Sequence, residues 1–433
     1  MKNGVRNAFI VALLLTFLMI WTGTQVHGQH KPFHDRAMIR PTLIHLDPGD
    51  AVQFRTAMLA KRLMPARSPD RVEWSVNDIP GGNSTYGTID KQGVYTAPEA
   101  VPNPREVHIC GYVEEASNSF LYATVIIGEG HPIYRSVNLW SEIEGETDTH
   151  LNSPHGIALD KTGNLLIADE SASRIFRYTR KGQFLGEIGK GPGSQPGHFK
   201  TPREVRVDAD GLIFVSDSKG DKPRIQVFTH EGNFLRMFAE KGRGPGQILR
   251  GHGLAFDATG RLFINDVDNM RVNVYDHSGN FLYMFSEGLT YENMNPCEFN
   301  APHGISVDPS GDIFVNSYYG PTQKFTPGGA VLFDFAHADP PDGPVFFHNH
   351  TIDRWGDVYL MVRTLEGYQG AIESGEGKKI SIMKFNNHGD FISSWSFSDP
   401  GHSETTAVVD DDGTVYALFR GDRERGVEVF REE

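Results

Sequence analysis

Apolar and polar residues alternate along most of the chain, and one form of this alternation recurs six times after residue 150. Each copy contains an apolar strand that ends at an aspartate, a glycine three residues later, and a second apolar strand. An aspartate accepts backbone hydrogen bonds in a tight turn, and glycine takes the left-handed conformation there. Each copy therefore predicts a β-hairpin. The aspartates are Asp160, Asp208, Asp257, Asp308, Asp353 and Asp410, and the glycines are Gly163, Gly211, Gly260, Gly311, Gly356 and Gly413.

Further apolar strands follow the hairpins, as in RIFRY and GQFLGEIG after the first copy. Four antiparallel strands repeating at roughly fifty residues are typical of a propeller blade. The sequence holds six first strands but five closing strands, and an unpaired sheet edge invites aggregation. We expect the strand YRSVNLWSEI, residues 134–143, to close the ring as the missing outer strand, with a linker strand as the alternative. The prediction is an all-β fold with a six-bladed β-propeller over residues 129–433.

Residues 41–128 have a different pattern, in which short alternating strands are separated by turn signals. This pattern predicts a small β-sandwich. Trp74 followed by the run GVYTAP (Gly93 to Pro98) resembles bacterial immunoglobulin-like modules, and this resemblance implies a spacer or an adhesive unit.

The first 28 residues have the three parts of an export signal. MKNGVRN is basic, AFIVALLLTFLMIW is apolar, and TGTQVHG ends in small residues, which predicts cleavage before Gln29. The protein is therefore expected to be exported to the periplasm, the cell surface or the medium. The alternative is an uncleaved membrane anchor. No later segment is apolar enough to cross a bilayer.

The formal net charge of −14 argues against a nucleic-acid partner, because phosphate binding requires clustered basic residues. Only two cysteines are present, Cys110 and Cys297, and they lie in different predicted domains. Disulfides therefore do not organise the fold, and whether these two pair is left open.

Four histidines occupy one position of the repeat, five residues before the aspartate. In a propeller this position lies at one mouth of the central channel, so the rings converge. They either hydrogen-bond to neighbouring loops or hold a cation as neutral ligands, for which zinc is the prediction. His155, His252 and His348 come from alternate blades, about 120° apart in a six-fold ring. His303 is a possible fourth ligand or a substrate contact, and His350 could compete with His348. The six equivalent positions are His155, Arg203, His252, His303, His348 and Thr405.

The propeller segment resembles the NHL-repeat group and, within it, the peptidyl-α-hydroxyglycine amidating lyases. The resemblance is carried by PHGIALD, PGHFKTPREVRVDADGLIFVSD, RIQVF, and GRGPGQ followed by HGLAFD. It implies zinc bound by His155, His252 and His348. It also implies cleavage of a hydroxylated glycine to an amide and glyoxylate.

The family's remaining catalytic residues do not carry over. Ser218 and Lys219 stand where the family has Gly-Tyr, and Asp266-Val267 replaces an Asp-Arg pair. A further family arginine has no counterpart around Glu404 and Thr405. The remaining candidates for catalysis are Lys219, Tyr318 with its neighbour Tyr319, and Arg203.

Three aspartates that end second strands could bind calcium or cap loops. They are Asp169, Asp217 and Asp266. Two functions are thus open for the protein. One is a metal-dependent lyase or hydrolase that acts on a small-molecule or peptide ligand at the channel mouth. The other is a non-catalytic extracellular protein that binds a ligand or a protein partner.

Overall fold

The structure is a computed structural model that describes most of the chain after residue 35. The prediction of an all-β fold is confirmed, because the one helical element is a 3-10 turn at Val267–Asn269 in the described part of the chain. No helix among the residues that the structure describes is long and apolar enough to span a membrane. The predicted export signal, Lys219, Tyr318, Tyr319 and Cys297 lie outside the described residues. The residues that the structure describes are 36–58, 71–143, 150–218, 222–285, 302–317, 321–335, 345–365, 378–398, 403–421 and 424–433.

Residues 36–127 form eleven strands that share one apolar core. A five-stranded sheet has the order β2-β11-β10-β5-β6, a four-stranded sheet has the order β3-β9-β8-β7, and β1 pairs with β4. Ile39, Tyr95 and Ile109 come from different sheets and are fully buried in the same core. The strands are β1 (Ala37–Arg40), β2 (Leu43–Leu46), β3 (Ala51–Gln53), β4 (Arg55–Met58), β5 (Glu73–Val76), β6 (Ile79–Pro80), β7 (Gly82–Asn83), β8 (Gly87–Ile89), β9 (Val94–Thr96), β10 (Glu106–Tyr112) and β11 (Phe120–Ile127). We call this part the N-terminal unit.

The rest of the chain forms six antiparallel four-stranded sheets, numbered here in chain order. Strand β12 (Tyr134–Ile143) comes first along the chain and is not part of sheet 1. Sheet 1 has β13 (Pro154–Leu159), β14 (Leu165–Asp169), β15 (Arg174–Tyr178) and β16 (Phe184–Ile188). Sheet 2 has β17 (Pro202–Val207), β18 (Ile213–Asp217), β19 (Arg224–Phe228) and β20 (Phe234–Phe238). Sheet 3 has β21 (Gly251–Phe256), β22 (Leu262–Asp266), β23 (Arg271–Tyr275) and β24 (Phe281–Phe285).

The remaining sheets repeat the same strand order. Sheet 4 has β25 (Pro302–Val307), β26 (Ile313–Ser317), β27 (Thr322–Phe325) and β28 (Val331–Phe335). Sheet 5 has β29 (Val345–Ile352), β30 (Val358–Leu365), β31 (Lys378–Phe385) and β32 (Phe391–Ser396). Sheet 6 has the order β12-β35-β34-β33, with β33 (Ser403–Val409), β34 (Val415–Arg420) and β35 (Glu424–Glu432).

Strand β12 is the outer strand of sheet 6. It pairs antiparallel with β35, the last strand of the chain, from Tyr134 opposite Glu432 to Ile143 opposite Glu424. The first strands of successive sheets contact one another, and β33 of sheet 6 contacts β13 of sheet 1. The sheets therefore follow one another around a centre that is lined by their first strands.

The aspartate turns connect the first and second strands of all six sheets. In sheet 1, Asp160 Oδ1 accepts hydrogen bonds from the backbone N–H groups of Thr162 and Asn164, both at 2.9 Å. Gly163 has a φ of 78°, a left-handed conformation that glycine adopts without strain. These turns lie at one end of every first strand, which we call the turn face. The histidine positions lie at the other end, which we call the histidine face.

The N-terminal unit is docked on the turn face of sheets 4 to 6. Thr42 Oγ1 donates to Asp390 Oδ2 at 2.6 Å, and the backbone N–H of Arg105 donates to Glu432 Oε1 at 2.8 Å. Trp355 of sheet 5 packs against Cys110 and Tyr122. Polar and apolar contacts together therefore hold the unit against the end of the sheets that lies away from the histidines.

Candidate metal centre

Three histidine rings from sheets 1, 3 and 4 meet at the histidine face. The ring centroids of His252 and His303 lie 3.8 Å apart, and those of His155 and His252 lie 4.9 Å apart. The His155 and His303 centroids are separated by 6.5 Å. The first residues of three strands thus bring three imidazoles into one cluster, which we call the histidine cup.

The glycine that follows each of these histidines lets neighbouring first strands come close. A Cβ atom on Gly253 would lie 2.8 Å from the backbone oxygen of His303. A Cβ atom on Gly156 would lie 2.5 Å from the backbone oxygen of Arg203. Such contacts are closer than van der Waals packing allows, so a side chain at either position would push the strands apart. This explains physically why His-Gly recurs in the repeat.

His252 has the most distinctive environment in the cup. Its side chain is buried, and neither ring nitrogen has a hydrogen-bond partner among the described residues. Burial, followed by the nearby His303 and His155, holds the pKa of His252 well below its usual range. The ring is therefore neutral at pH 7 and has a lone pair available for a metal ion or a ligand.

His155 contacts a cation of the neighbouring sheet. Arg203 Nη2 lies 2.8 Å from His155 Nε2, and because an arginine can only donate, that nitrogen is the acceptor. Glu170 Oε2 lies 3.7 Å from the same guanidinium nitrogen. His155 is therefore also neutral in this arrangement, and Arg203 uses the lone pair that a metal ion would need.

The three imidazoles are of the ligand type that zinc binds, but the positions of their nitrogens do not allow them to share one ion without rearrangement. Nitrogens that share one zinc ion lie no more than about 4.2 Å apart, since each bond is about 2.1 Å long. Within the described residues, only two groups of possible ligands place three ligand atoms within 4.8 Å of one another, and neither is the cup. A shared ion therefore requires rotation of at least one ring, and His155 would have to leave Arg203. The two groups are Glu106, His108 and Asp357, and Asp208, Asp210 and His277.

Two further histidines, His348 and His350, were considered near this position of the repeat. The side chain of His348 lies outside the described part, although its backbone belongs to β29. His350 is buried between Ser306 Oγ, at 2.7 Å from Nε2, and Asn316 Oδ1, at 2.9 Å from Nδ1. Burial, with the nearby charge of Arg206, lowers the pKa of His350 to about 3. His350 is thus a neutral histidine with both nitrogens hydrogen-bonded inside the protein.

The aspartates that we considered for calcium make the contacts of loop caps. Asp169 Oδ2 accepts backbone N–H groups of Asn152 and Ser153 at 2.6 and 2.9 Å. Asp217 Oδ1 and Asp266 Oδ1 accept two backbone N–H groups each, in the equivalent loops of sheets 2 and 3. These bonds hold the loops that lead into the first strands, and so they position the cup.

A buried ionic cluster on the opposite face was not foreseen from the sequence. Lys384 Nζ of sheet 5 lies 2.5 Å from Glu106 Oε1 and 3.4 Å from Asp357 Oδ2, and His108 Nε2 lies 3.0 Å from the same Asp357 oxygen. Burial alone would lower the pKa of His108, but its bonds and charge contacts with Asp357 and Glu106 raise it to about 9. The sequence contained one signal of this cluster, namely a glutamate and a histidine two residues apart, on one face of the apolar strand EVHICGY.

A second group missed from the sequence lies inside the ring of first strands. Glu204 on β17 is fully buried and forms a close ion pair with Arg206, two residues further along the same strand. Burial raises the pKa of Glu204 to about 7, although Arg206 acts in the opposite direction. The visible signal was two charged residues in the first strand PREVRV, where the other copies are mostly apolar.

Comparisons with known proteins agree with this all-β architecture. Residues 151–178 match the NHL repeat. The rat peptidylglycine alpha-amidating monooxygenase is 33% identical over 112 residues, which cover 24% of this chain and 11% of that protein. A probable peptidyl-alpha-hydroxyglycine alpha-amidating lyase of Caenorhabditis elegans is 28% identical over 107 residues, 24% of this chain and 30% of the relative. The chain thus spans a minor part of these relatives.

Among solved structures, a streptogramin B lyase is similar in fold, with a TM-score of 0.45 and 12% identity. The match covers 68% of this chain and 98% of the lyase. A similarity at this level does not indicate a shared activity. In its described part the chain forms a propeller-like, all-β arrangement of six sheets. It contains an NHL repeat and is distantly similar to peptidylglycine amidating enzymes.

Proposed function

We propose that the chain is an exported NHL-type protein in which a six-bladed β-propeller binds a zinc ion at the histidine face. His155 and His252 are two of the ligands, and His303 or His348 is the third. The bound metal serves a lyase-like reaction on a peptide or small-molecule ligand. The N-terminal unit, which we propose to be immunoglobulin-like, acts as a support on the other face.

The observation that carries this proposal is the state of His252. A buried imidazole with no hydrogen-bond partner loses the solvation of both nitrogens, and a bound ion would compensate for that loss. His155 and His303 are the nearest imidazoles, and converging neutral imidazoles are the donors that zinc prefers. Zinc held in this way supplies a Lewis acid that polarises an oxygen of a bound ligand.

Arg203 has a definite role in this proposal. Its guanidinium is bonded to His155 Nε2. If His155 bound the metal instead, the guanidinium would be released as a donor at the edge of the cup. A planar cation in that place can orient an anionic group of the ligand.

A second candidate function is non-catalytic recognition of a ligand or an extracellular protein at the same face. The hydrogen bond between Arg203 and His155 favours it, because it satisfies a nitrogen that a metal ion would need. Catalysis predicts bound zinc and release of a product, whereas recognition predicts no product, so one experiment separates them.

The test is metal analysis of the purified protein after exchange with zinc and dialysis, followed by incubation with a peptide that ends in α-hydroxyglycine. We expect about one zinc ion per chain, loss of zinc in His155→Ala and His252→Ala, and release of glyoxylate. Arg203→Gln should bind zinc more tightly than the wild type, because His155 is no longer engaged.

His230→Ala is the matched control, since His230 lies in a turn between strands 3 and 4 of sheet 2, away from the cup. It should retain zinc. A wild-type protein that holds no zinc would overturn the metal centre. A zinc-bound protein that releases no glyoxylate would overturn the amidating-lyase reaction and leave the recognition function.

A further inference from the structure

A cavity of about 480 Å³ separates the N-terminal unit from the turn face of sheets 5 and 6. Glu106 and Tyr86 belong to its wall on one side, and Asp353 and Asp412 belong to its wall on the other side. It lies at the opposite end of the first strands from the histidine cup. We propose that this cavity binds a small organic cation that carries an ammonium or guanidinium group. This inference is independent of the proposed function.

The charge of the lining is the first reason. Four positively charged residues line the cavity, at His108, Arg354, Lys384 and Arg431. Six carboxylate residues line it, namely Glu106, Asp353, Asp410, Asp411, Asp412 and Glu432. A partly enclosed space with this excess of negative charge concentrates cations.

The cationic residues of the wall are engaged with other groups. Lys384 is bonded to Glu106 Oε1 at 2.5 Å, and Arg431 Nε donates to Thr414 Oγ1 at 3.0 Å. The guanidinium of Arg354 lies 4.3 Å from the ring centre of Trp355. None of these contacts brings a positive charge to Asp411 or Asp412, so the carboxylates of that turn are left for a ligand.

An unsatisfied acceptor on the wall is the second, separate reason. Glu106 is 3% exposed, and its Oε2 atom has no hydrogen-bond partner among the described residues. A buried carboxylate oxygen without a donor is unfavourable. Burial, followed by the nearby carboxylate of Glu106, raises the pKa of Glu432 to about 7, and the ammonium of Lys384 offsets only part of this rise. A ligand N–H group would supply both the donor and the charge.

The same wall shows which kind of cation fits. The Lys384 ammonium lies 5.0 Å from the ring centre of Tyr359 and 5.9 Å from that of Tyr134, so it is held by carboxylates and aromatic faces together. A metal ion bound by Glu106, His108 and Asp357 would lie beside this ammonium and be repelled by it. The volume also exceeds that of an ion and falls in the range of small-molecule sites.

The test uses agmatine, which carries one ammonium and one guanidinium group, titrated into the mature protein at low salt by calorimetry. Saturable binding is expected, with an affinity that falls as salt is added. Succinate, an anion of similar length, should not bind. Asp412→Asn should weaken agmatine binding about fivefold, the effect of removing one exposed charge.

Asp210→Asn is the matched control. Asp210 holds the same place in the turn of sheet 2, two residues after the aspartate and just before the glycine, and it is not part of this cavity wall. The control should bind agmatine as the wild type does. Absence of saturable binding to the wild type, or an equal loss in both variants, would overturn the proposal. Binding of calcium in place of agmatine with the same dependence on Asp412 would also overturn it.

The proposed zinc site at the histidine cup and the proposed cation-binding site in this cavity can be tested separately. A His155→Ala, His252→Ala double variant should bind agmatine like the wild type, because the two sites lie at opposite ends of the first strands. Asp412→Asn should likewise keep its zinc. A loss of agmatine binding in the double variant would contradict an independent site.

Discussion

His108 and His252 are both buried histidines, yet their neighbours shift their pKa values in opposite directions. His108 lies between two carboxylates, Asp357 and Glu106, and its pKa rises to about 9. His252 lies among other imidazoles, and its pKa falls well below the usual range. Burial is common to both, so the charge of the neighbours decides the protonation state. His108 is therefore a charged partner of two carboxylates, and His252 is a neutral imidazole whose nitrogens have no hydrogen-bond partner within the described ranges.

This difference extends to the two faces of the protein. On the turn face, Lys384 and His108 pair with Glu106 and Asp357 across an interface, although Glu106 Oε2 has no donor among the described residues. On the histidine face, neither nitrogen of the buried His252 has a hydrogen-bond partner in the described part of the chain. Buried polar groups without hydrogen-bond partners cost stability, and a ligand is expected where such groups lie. The predictions below test this contrast, beginning with the largest effect.

Lys384→Ala should have the largest effect on stability. The change leaves Glu106 and Asp357 buried without their ammonium partner, which costs about 3–5 kcal/mol for a buried ion pair. Urea denaturation followed by tryptophan fluorescence would measure it. Lys181→Ala, at an exposed lysine of sheet 1, is the control and should change the free energy of unfolding by less than about 0.5 kcal/mol. A loss below about 1 kcal/mol at Lys384 would mean that water replaces the ammonium.

Alkaline pH should weaken the protein through His108. A histidine whose folded pKa is raised stabilises the fold fully below the unfolded pKa of about 6.5. That contribution is lost as the pH rises through about 9, the folded value. The expected loss is about 3 kcal/mol between pH 6.5 and 9.5. His108→Gln should show a flatter stability curve over this range, and parallel curves for both proteins would contradict the assignment.

His350→Leu should destabilise the protein by about 1–3 kcal/mol, because Ser306 and Asn316 lose a buried hydrogen-bond partner. The pKa of His350 is about 3 in the folded protein and about 6.5 in the unfolded chain, so the destabilisation should be constant between pH 7 and 9 and become slightly smaller toward pH 6, where the unfolded chain takes up a proton. Thermal unfolding at three pH values would measure both points. An effect that grows with falling pH in this range would show that the ring carries a charge.

The repeat pattern predicted those parts of the fold that depend on local chemistry. The Asp-to-Gly turns form because each aspartate can cap its own turn, as Asp160 does, and this is visible in a short stretch of sequence. A strand count also shows that the last sheet lacks an outer strand, and the structure pairs β35 with β12. Equal position in each repeat predicts that histidines approach the axis, and three of the four have rings that the structure places together.

Contacts between distant segments could not be read in the same way. His108 and Asp357 are 249 residues apart, and their contact depends on how the N-terminal unit docks on sheet 5. Alternation of apolar residues identifies the strands but not which polar residues meet across an interface. The bond between Arg203 and His155 escaped prediction for another reason, since repeat position gives the neighbours but not the side-chain rotamers.

His252→Leu should have the smallest effect on stability and a complete effect on zinc. Among the residues that the structure describes, no group loses a hydrogen bond when the ring is removed, and leucine replaces it with apolar surface of similar size. The free energy of unfolding of the metal-free protein should therefore change by less than about 1 kcal/mol. The same variant should bind no zinc and should lose the increase in melting temperature that zinc gives the wild type. A destabilisation as large as that of His350→Leu would mean that His252 is a structural histidine, because only a ring with protein partners leaves them unsatisfied when it is removed.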